Sequence, residues 1–139
     1  RERVARIIEM ADVVKVSADD LAYLDPGTPA LEAARALVTG GARLVLLTDG
    51  ARAVWLVAAG FEVELPVPRV DVVDTVGSGD AFGGAFLAWW IERGSGRDDL
   101  ADRAAVEAAA SQAIAVASLT CQRPGADPPT RAEAGWPAR

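Results

Sequence analysis

Asp74 and Asp80 bracket the stretch Thr75-Val76-Gly77-Ser78-Gly79, and an apolar run from Ala81 to Trp90 follows the second aspartate at once. This order of residue types suits chemistry on an anion. Glycines ahead of a helix let backbone N–H groups converge and let a ligand come close. The first N–H groups of a helix have no partner inside it and carry the positive end of its dipole. Such a junction is a cup for a phosphate-like group. A carboxylate one residue beyond the cup is placed to accept the proton of a hydroxyl attacking the bound group. Phosphoryl transfer tolerates a weak base there, because its transition state asks more for alignment and charge stabilisation. Asp80 holds that position. Asp74 lies at the end of the run "VDVV", ahead of the glycine loop.

Spacing removes several other glycine loops. A Walker A loop needs Gly-Lys-Ser/Thr, and Lys15 is the one lysine of the chain. Gly77, Gly79 and Gly83 spell G-x-G-x-x-x-G, one residue longer than the dinucleotide fingerprint. A nucleophile elbow on Ser78 needs glycine two residues earlier, where Val76 stands. With no histidine in the chain, Ser-His-Asp and Cys-His catalysis and histidine metal sites are also excluded. The spacing taken alone leaves open a plain glycine turn that starts a helix.

The bulk numbers fit a small-molecule protein better than a nucleic-acid or membrane-surface binder. Fourteen basic residues stand against 20 acidic ones, a net charge of −6, and both of those surfaces want positive charge. Cys121 is alone, so neither an internal disulfide nor a Cys-x-x-Cys site is available, and a reducing, cytoplasmic setting is expected. No membrane span and no signal peptide is expected. The 139 residues match one ordinary domain, with no internal repeat and no interdomain linker. The chain opens without methionine in what reads as mid-helix, which is expected of a fragment.

The elements that must position these residues follow from periodicity and punctuation. Residues 2–10 read as an amphipathic helix, "DVVKVS" as a strand, and "SADDLAYL" as a helix start with Ser17 as N-cap and Asp20 in its first turn. "LDPGTPA" is a turn, and "ALEAARALVTGGA" a helix ended by Gly40-Gly41. "RLVLLTDG" is a buried strand, and "RAVWLVAAG" and "FEVELPVP" form a hairpin over an Ala-Gly turn. "RVDVVDTV" reads as a further strand entering the glycine loop, followed by a helix from about Asp80 to Arg93. A long alanine-rich helix then starts near Leu100, capped by Asp98 or Asp99, and "CQRPGADPPT" closes the pattern as a loop before a weak tail, "RAEAGWPAR". This order is α/β, with a mainly parallel sheet covered by helices. Cys121 is expected to be buried, Trp90 half covered, and Lys15 an edge lysine.

"DTVGSGDAFGGAF" resembles the D-T-x-G-A-G-D signature of the ribokinase-like (PfkB) carbohydrate kinases, with Ser78 in place of the usual alanine. The resemblance implies a three-layer αβα ribokinase-like fold. It implies Asp80 as the catalytic base and the backbone of Gly77, Ser78 and Gly79 as the anion hole. Asp74 and the carbonyl of Val76 are implied to bind a monovalent cation, K+. Three further segments carry the match. In "VVKVSADDLAYL", Ser17 and Asp20 stand where the family has asparagine and glutamate near magnesium and the nucleotide phosphates. A capping role explains both equally well. Thr48 and Gly50 match a turn bordering the nucleotide, with Ala53 in place of its second glycine. Arg123, Pro124, Gly125 and Ala126 match the closing loop beside the adenine and the cation. The resemblance therefore implies ATP and Mg2+ as cofactors and a sugar as substrate, with bacterial fructokinase-type members nearest in spelling. It covers the C-terminal, nucleotide-binding portion of the family. The sugar-binding N-terminal half and its lid have no counterpart in residues 1–139. Apolar surface and strand edge left bare by that difference are expected to promote self-association. A truncated remnant that binds phosphate or nucleotide without turnover stands as the alternative.

Overall fold

The computed structural model describes residues 2–137. Its chain divides into two compact units, Arg1–Pro66 with Arg97–Val106, and Val67–Gly96 with Glu107–Arg139.

The first unit contains α1 (Glu2–Met10), β1 (Val13–Ser17), α2 (Ala18–Leu24), α3 (Ala30–Thr39), β2 (Leu44–Asp49), β3 (Ala53–Ala58), β4 (Phe61–Pro66) and a short 3-10 turn at Asp98–Ala101. The strands form one sheet in the order β1-β2-β3-β4. β1 lies parallel to β2, in register from Val13↔Leu44 to Ser17↔Thr48. β2 with β3 and β3 with β4 are antiparallel. The sheet is thus mixed rather than mainly parallel. Connection length explains the difference: α2 and α3 supply the crossover that a parallel pair needs, whereas Gly50–Arg52 and Ala59–Gly60 are long enough only for hairpins.

β2 is buried at Leu44, Val45, Leu46 and Leu47 without a break, as a strand covered on both faces must be. β1 and β4 alternate along their length, as edge strands with one covered face do. Val14, Val16, Val45, Leu47 and Val57 form one sheet face, packed with Leu21 of α2 and Ala33 and Ala34 of α3. The two alanines let α3 lie close to the strands. Arg35 of α3 grips Glu62 of β4 through two hydrogen bonds of 2.7 and 2.8 Å. Asp12 pairs with Arg97 at 2.7 Å and with Arg43 at 3.5 Å, which holds residues 97–98 to this unit.

The second unit is built on α4 (Ser78–Glu92) and most of α5 (Arg103–Cys121), with loops over residues 67–77 and 122–137. The expected strand over "RVDVVDTV" does not form. Pro66 and Pro68 open the segment without ladder donors, and the N–H groups of Val73 and Asp74 both donate to the Cys121 carbonyl, at 2.8 and 3.2 Å. α4 starts at Ser78, two residues before the expected Asp80. It buries Phe82, Ala85, Phe86 and Trp90, spaced three and four apart as one helix face requires. Trp90 is 7% exposed, not half covered, and its ring stacks on Phe86 with centroids 5.7 Å apart. Trp89 is the half-buried member of the pair. Cys121 is half-buried rather than buried, because it sits in the last turn of α5 beside the loops.

α5 starts three residues later than expected, and its cap is Asp102. Asp102 Oδ1 accepts from Ala104 N at 2.9 Å and Ala105 N at 3.2 Å, while Asp98 and Asp99 belong to the 3-10 turn. Against the expectation that no run reaches the size of a membrane span, α5 is long and apolar enough by length and composition. Its fully buried Val106, Ala109, Ala110 and Ala113 are also what an alanine-rich core helix presents.

Candidate active site

The second unit holds Asp74, Val76, Gly77, Ser78, Gly79, Asp80 and Gly125; the first holds Ser17, Asp20, Thr48 and Gly50. In the second unit the backbone turns into α4 at Gly77, which caps the helix in the left-handed region, φ +76°. Any other residue there would be strained, and a Cβ on Gly77 would lie 2.6 Å from the Cβ of Ala126. Both conditions require glycine.

Past that turn, the hydrogen bonds divide the cup unequally. Ser78 N donates to the Thr75 carbonyl at 3.2 Å, and Ser78 Oγ donates to the same oxygen at 2.9 Å. Ser78 is therefore engaged in closing its own turn. Among the described residues, the N–H groups of Gly77, Gly79 and Asp80 have no protein acceptor. The free donors of the cup are thus Gly77, Gly79 and Asp80, one residue displaced from the expected trio. Asp80 is the third residue of α4, and its side chain is exposed.

Asp74 acts as a brace. Oδ1 accepts from Val76 N at 3.0 Å and Oδ2 from Gly125 N at 2.8 Å. These two N–H groups, Val76 first, hold the Asp74 carboxyl below the usual aspartate range. One carboxylate so joins the glycine loop to the closing loop, and Gly125 meets it with φ +71°. A cleft of about 430 Å³ opens beside these loops. Gly77, Asp80 and Gly84 line one side, and Ala126, Pro128 and Trp136 another.

In the first unit, Ser17 and Thr48 pair in register at the carboxyl ends of the parallel strands, where ligand sites of α/β sheets gather. Ser17 and Asp20 form a closed capping box on α2. Asp20 N donates to Ser17 Oγ at 3.0 Å, and Asp20 Oδ2 accepts from Ser17 Oγ at 2.6 Å and Ser17 N at 3.0 Å. The Ser17 hydroxyl, then its N–H, keep the Asp20 carboxyl below its ordinary range. Gly50 takes φ +56° in the β2–β3 turn, and Ala53 is a buried strand residue there. Lys15 lies exposed on edge strand β1.

The fastening of residues 130–137 is absent from the expectations, which end the closing loop at Thr130 and take "RAEAGWPAR" as a weak tail. Thr130 and Glu133 spell T-x-x-E, the capping-box pattern that signals a fastened turn. Glu133 Oε2 accepts from Thr130 N at 2.7 Å, and Trp136 packs edge-on against Trp89 at 5.3 Å.

The sequence model of the pfkB family carbohydrate kinase matches residues 1–133. Aminoimidazole riboside kinase of Salmonella typhimurium is 41% identical over 86 residues, 62% of this chain and 27% of that protein. Fructokinase-1 of Oryza sativa subsp. japonica is 34% identical over 137 residues, 96% of this chain and 41% of that protein. Fructokinase of Xylella fastidiosa, solved with bound ATP, superposes with a TM-score of 0.80 at 31% identity, over 90% of this chain and 41% of that one. The chain thus spans between about a quarter and two fifths of the length of these relatives.

Proposed function

The chain belongs to the pfkB family of carbohydrate kinases, and from that membership we propose that it is the nucleotide-binding, catalytic portion of an ATP-dependent sugar kinase. The observation that carries this reading is the junction at Gly77–Asp80. Free N–H donors and a carboxylate share one helix start, beside a cleft. Asp80 accepts the proton of the attacking hydroxyl as the γ-phosphoryl group leaves ADP. The N–H groups of Gly77, Gly79 and Asp80 stabilise the charge on the transferred group.

Magnesium, when bound, offsets the charge of the phosphates. Among the described residues no three His, Cys, Asp or Glu side chains gather to hold a metal. The side chains present fit a metal carried on the nucleotide, with Asp20, in the first turn of α2, the carboxylate offered to it. K+ is assigned to Asp74 and the Val76 carbonyl, with the same loop serving as brace and cation site. Thr48 and Gly50 border the nucleotide, and Gly125 lines its closing loop. The acceptor is a primary hydroxyl of a sugar, fructose first and ribosides next, following the relatives. The setting is cytoplasmic, without nucleic-acid or membrane partners, and the chain self-associates.

A coupled assay of ADP release tests the assignment over a panel of sugars and nucleosides. It is run on this chain and on any longer form that contains it, each with Asp80→Asn. Asp80→Asn is expected to lower the rate by roughly 10²–10⁴-fold with ATP still bound, the scale of a lost general base. An unchanged rate removes Asp80 from the chemistry. The closed capping box, in which Ser17 and Asp20 already satisfy each other, favours one second reading, a nucleotide-binding module without turnover. That reading predicts ATP binding in the chain and no ADP release from any form.

A further inference from the structure

The loop that faces Asp80 across the cleft is tied down by a carboxylate outside the motif. Glu133 Oε1 accepts from Arg123 Nη2 at 2.7 Å, at the start of that loop. Glu133 Oε2 accepts from Thr130 N at 2.7 Å and from Thr130 Oγ1 at 2.8 Å, at its end. Between these anchors, Ala126, Pro128 and Pro129 line the cleft together with Gly77 and Asp80. Asp74 holds the middle of the same loop at Gly125.

We propose that Glu133 is a positioning residue of the site, fastening both ends of the 123–130 loop so that its wall stands at a set distance from Gly77 and Asp80. An exposed Arg–Glu pair alone contributes little to stability. Here one carboxylate serves three donors, one of them a backbone N–H, so losing it frees two chain positions at once. Pro128 and Pro129 stiffen the stretch between. A stiff segment transmits the position of its ends to its middle. The middle has little tolerance, because Gly77 already approaches Ala126 too closely to carry a side chain. Nearby charges do not replace Glu133: Asp127 also pairs with Arg123, at 3.6 Å, but from within the loop and without reaching Thr130, and Arg131 is engaged with Glu92 and the Pro137 carbonyl. The functional half of this inference rests on the kinase reading; the fastening does not.

Amide hydrogen exchange and calorimetric MgATP binding are measured together on the chain, with Glu133→Ala, Glu133→Gln and Arg123→Ala. Glu133→Ala is expected to speed exchange at Gly125, Asp127 and Thr130 by roughly tenfold, the scale of a lost charge-assisted contact. MgATP affinity falls in the same order of variants. Glu133→Gln, which keeps one acceptor oxygen, recovers part of both. If Glu133→Ala does not fold, the other two variants decide. Exchange unchanged across 123–130 overturns the proposal, and so does faster exchange with unaltered MgATP affinity. A wild-type chain that binds no MgATP removes the kinase reading for the chain, and the fastening then stands or falls on exchange alone.

Discussion

Gly77 concentrates the constraints on the site into one residue. It must take a left-handed conformation and must also lack a Cβ that would meet Ala126 at 2.6 Å. Gly77→Ala carries the left-handed cost of roughly 1–2 kcal/mol even before that contact is counted. The expected outcome is a lower urea midpoint together with weaker phosphate or MgATP binding. A midpoint equal to wild type would mean that the two loops part easily. At Glu133, the N–H of Thr130, then Arg123 and the Thr130 hydroxyl, hold the carboxyl at about 2. The folded value lies below the ordinary 4.5. The stabilisation is therefore complete above the ordinary value and is lost as pH falls through about 2. The groups facing Glu133 are Arg123 and, beyond it, Asp127. An NMR titration of the Glu133 carboxyl carbon should show a midpoint near the depressed value, with the Thr130 amide shift following it. A midpoint in the usual glutamate range would count against the three-donor geometry.

Elements contribute by holding loops rather than by supplying side chains. α4 presents its free N–H groups only because its apolar face is anchored, with Phe86 1% exposed and stacked on Trp90. Phe86→Ala should cost about 3–5 kcal/mol, the usual penalty for emptying an aromatic core position. Thermal or urea unfolding of the purified variant measures it, and a loss under 1 kcal/mol would place Phe86 outside the core. The glycine loop depends on the far end of α5, whose Cys121 carbonyl takes two of its N–H groups. That dependence could not be read from "RVDVVDTV", whose β-branched run spells a strand. A strand needs a ladder, and the donors here turn to a helix end.

Across the whole molecule, apolar surface is left bare on separate elements. Ile7 and Met10 of α1 and Leu87 and Ile91 of α4 are all more than half exposed, and β1 is an edge strand. Such surface favours association in spite of the net charge of −6. Sedimentation velocity should show the average mass rising with concentration, and Leu87→Glu with Ile91→Glu should reduce it. A mass equal to one chain at all concentrations would count against self-association.

What was legible in the residue order was everything governed by neighbours in the chain. The cap at Ser17 with Asp20, the Ala59–Gly60 hairpin and the glycine cup before α4 follow from local rules, because turns, caps and helix starts are set within a few residues. Ser17 and Thr48 could be assigned to strand ends for the same reason. Contacts distant in the chain were decided only in the folded molecule. Asp74 meets Gly125, and Gly77 meets Ala126, through backbone and Cβ positions that no local pattern encodes. The mixed sheet, the burial of Trp90 and the fastening of the closing loop by Glu133 are of this kind. The glycine turn and the aspartate at the start of α4 are thus written in the order of the chain. Which N–H groups of the cup stay free, and how near its wall stands, depend on hydrogen bonds that form only when the loops are folded together.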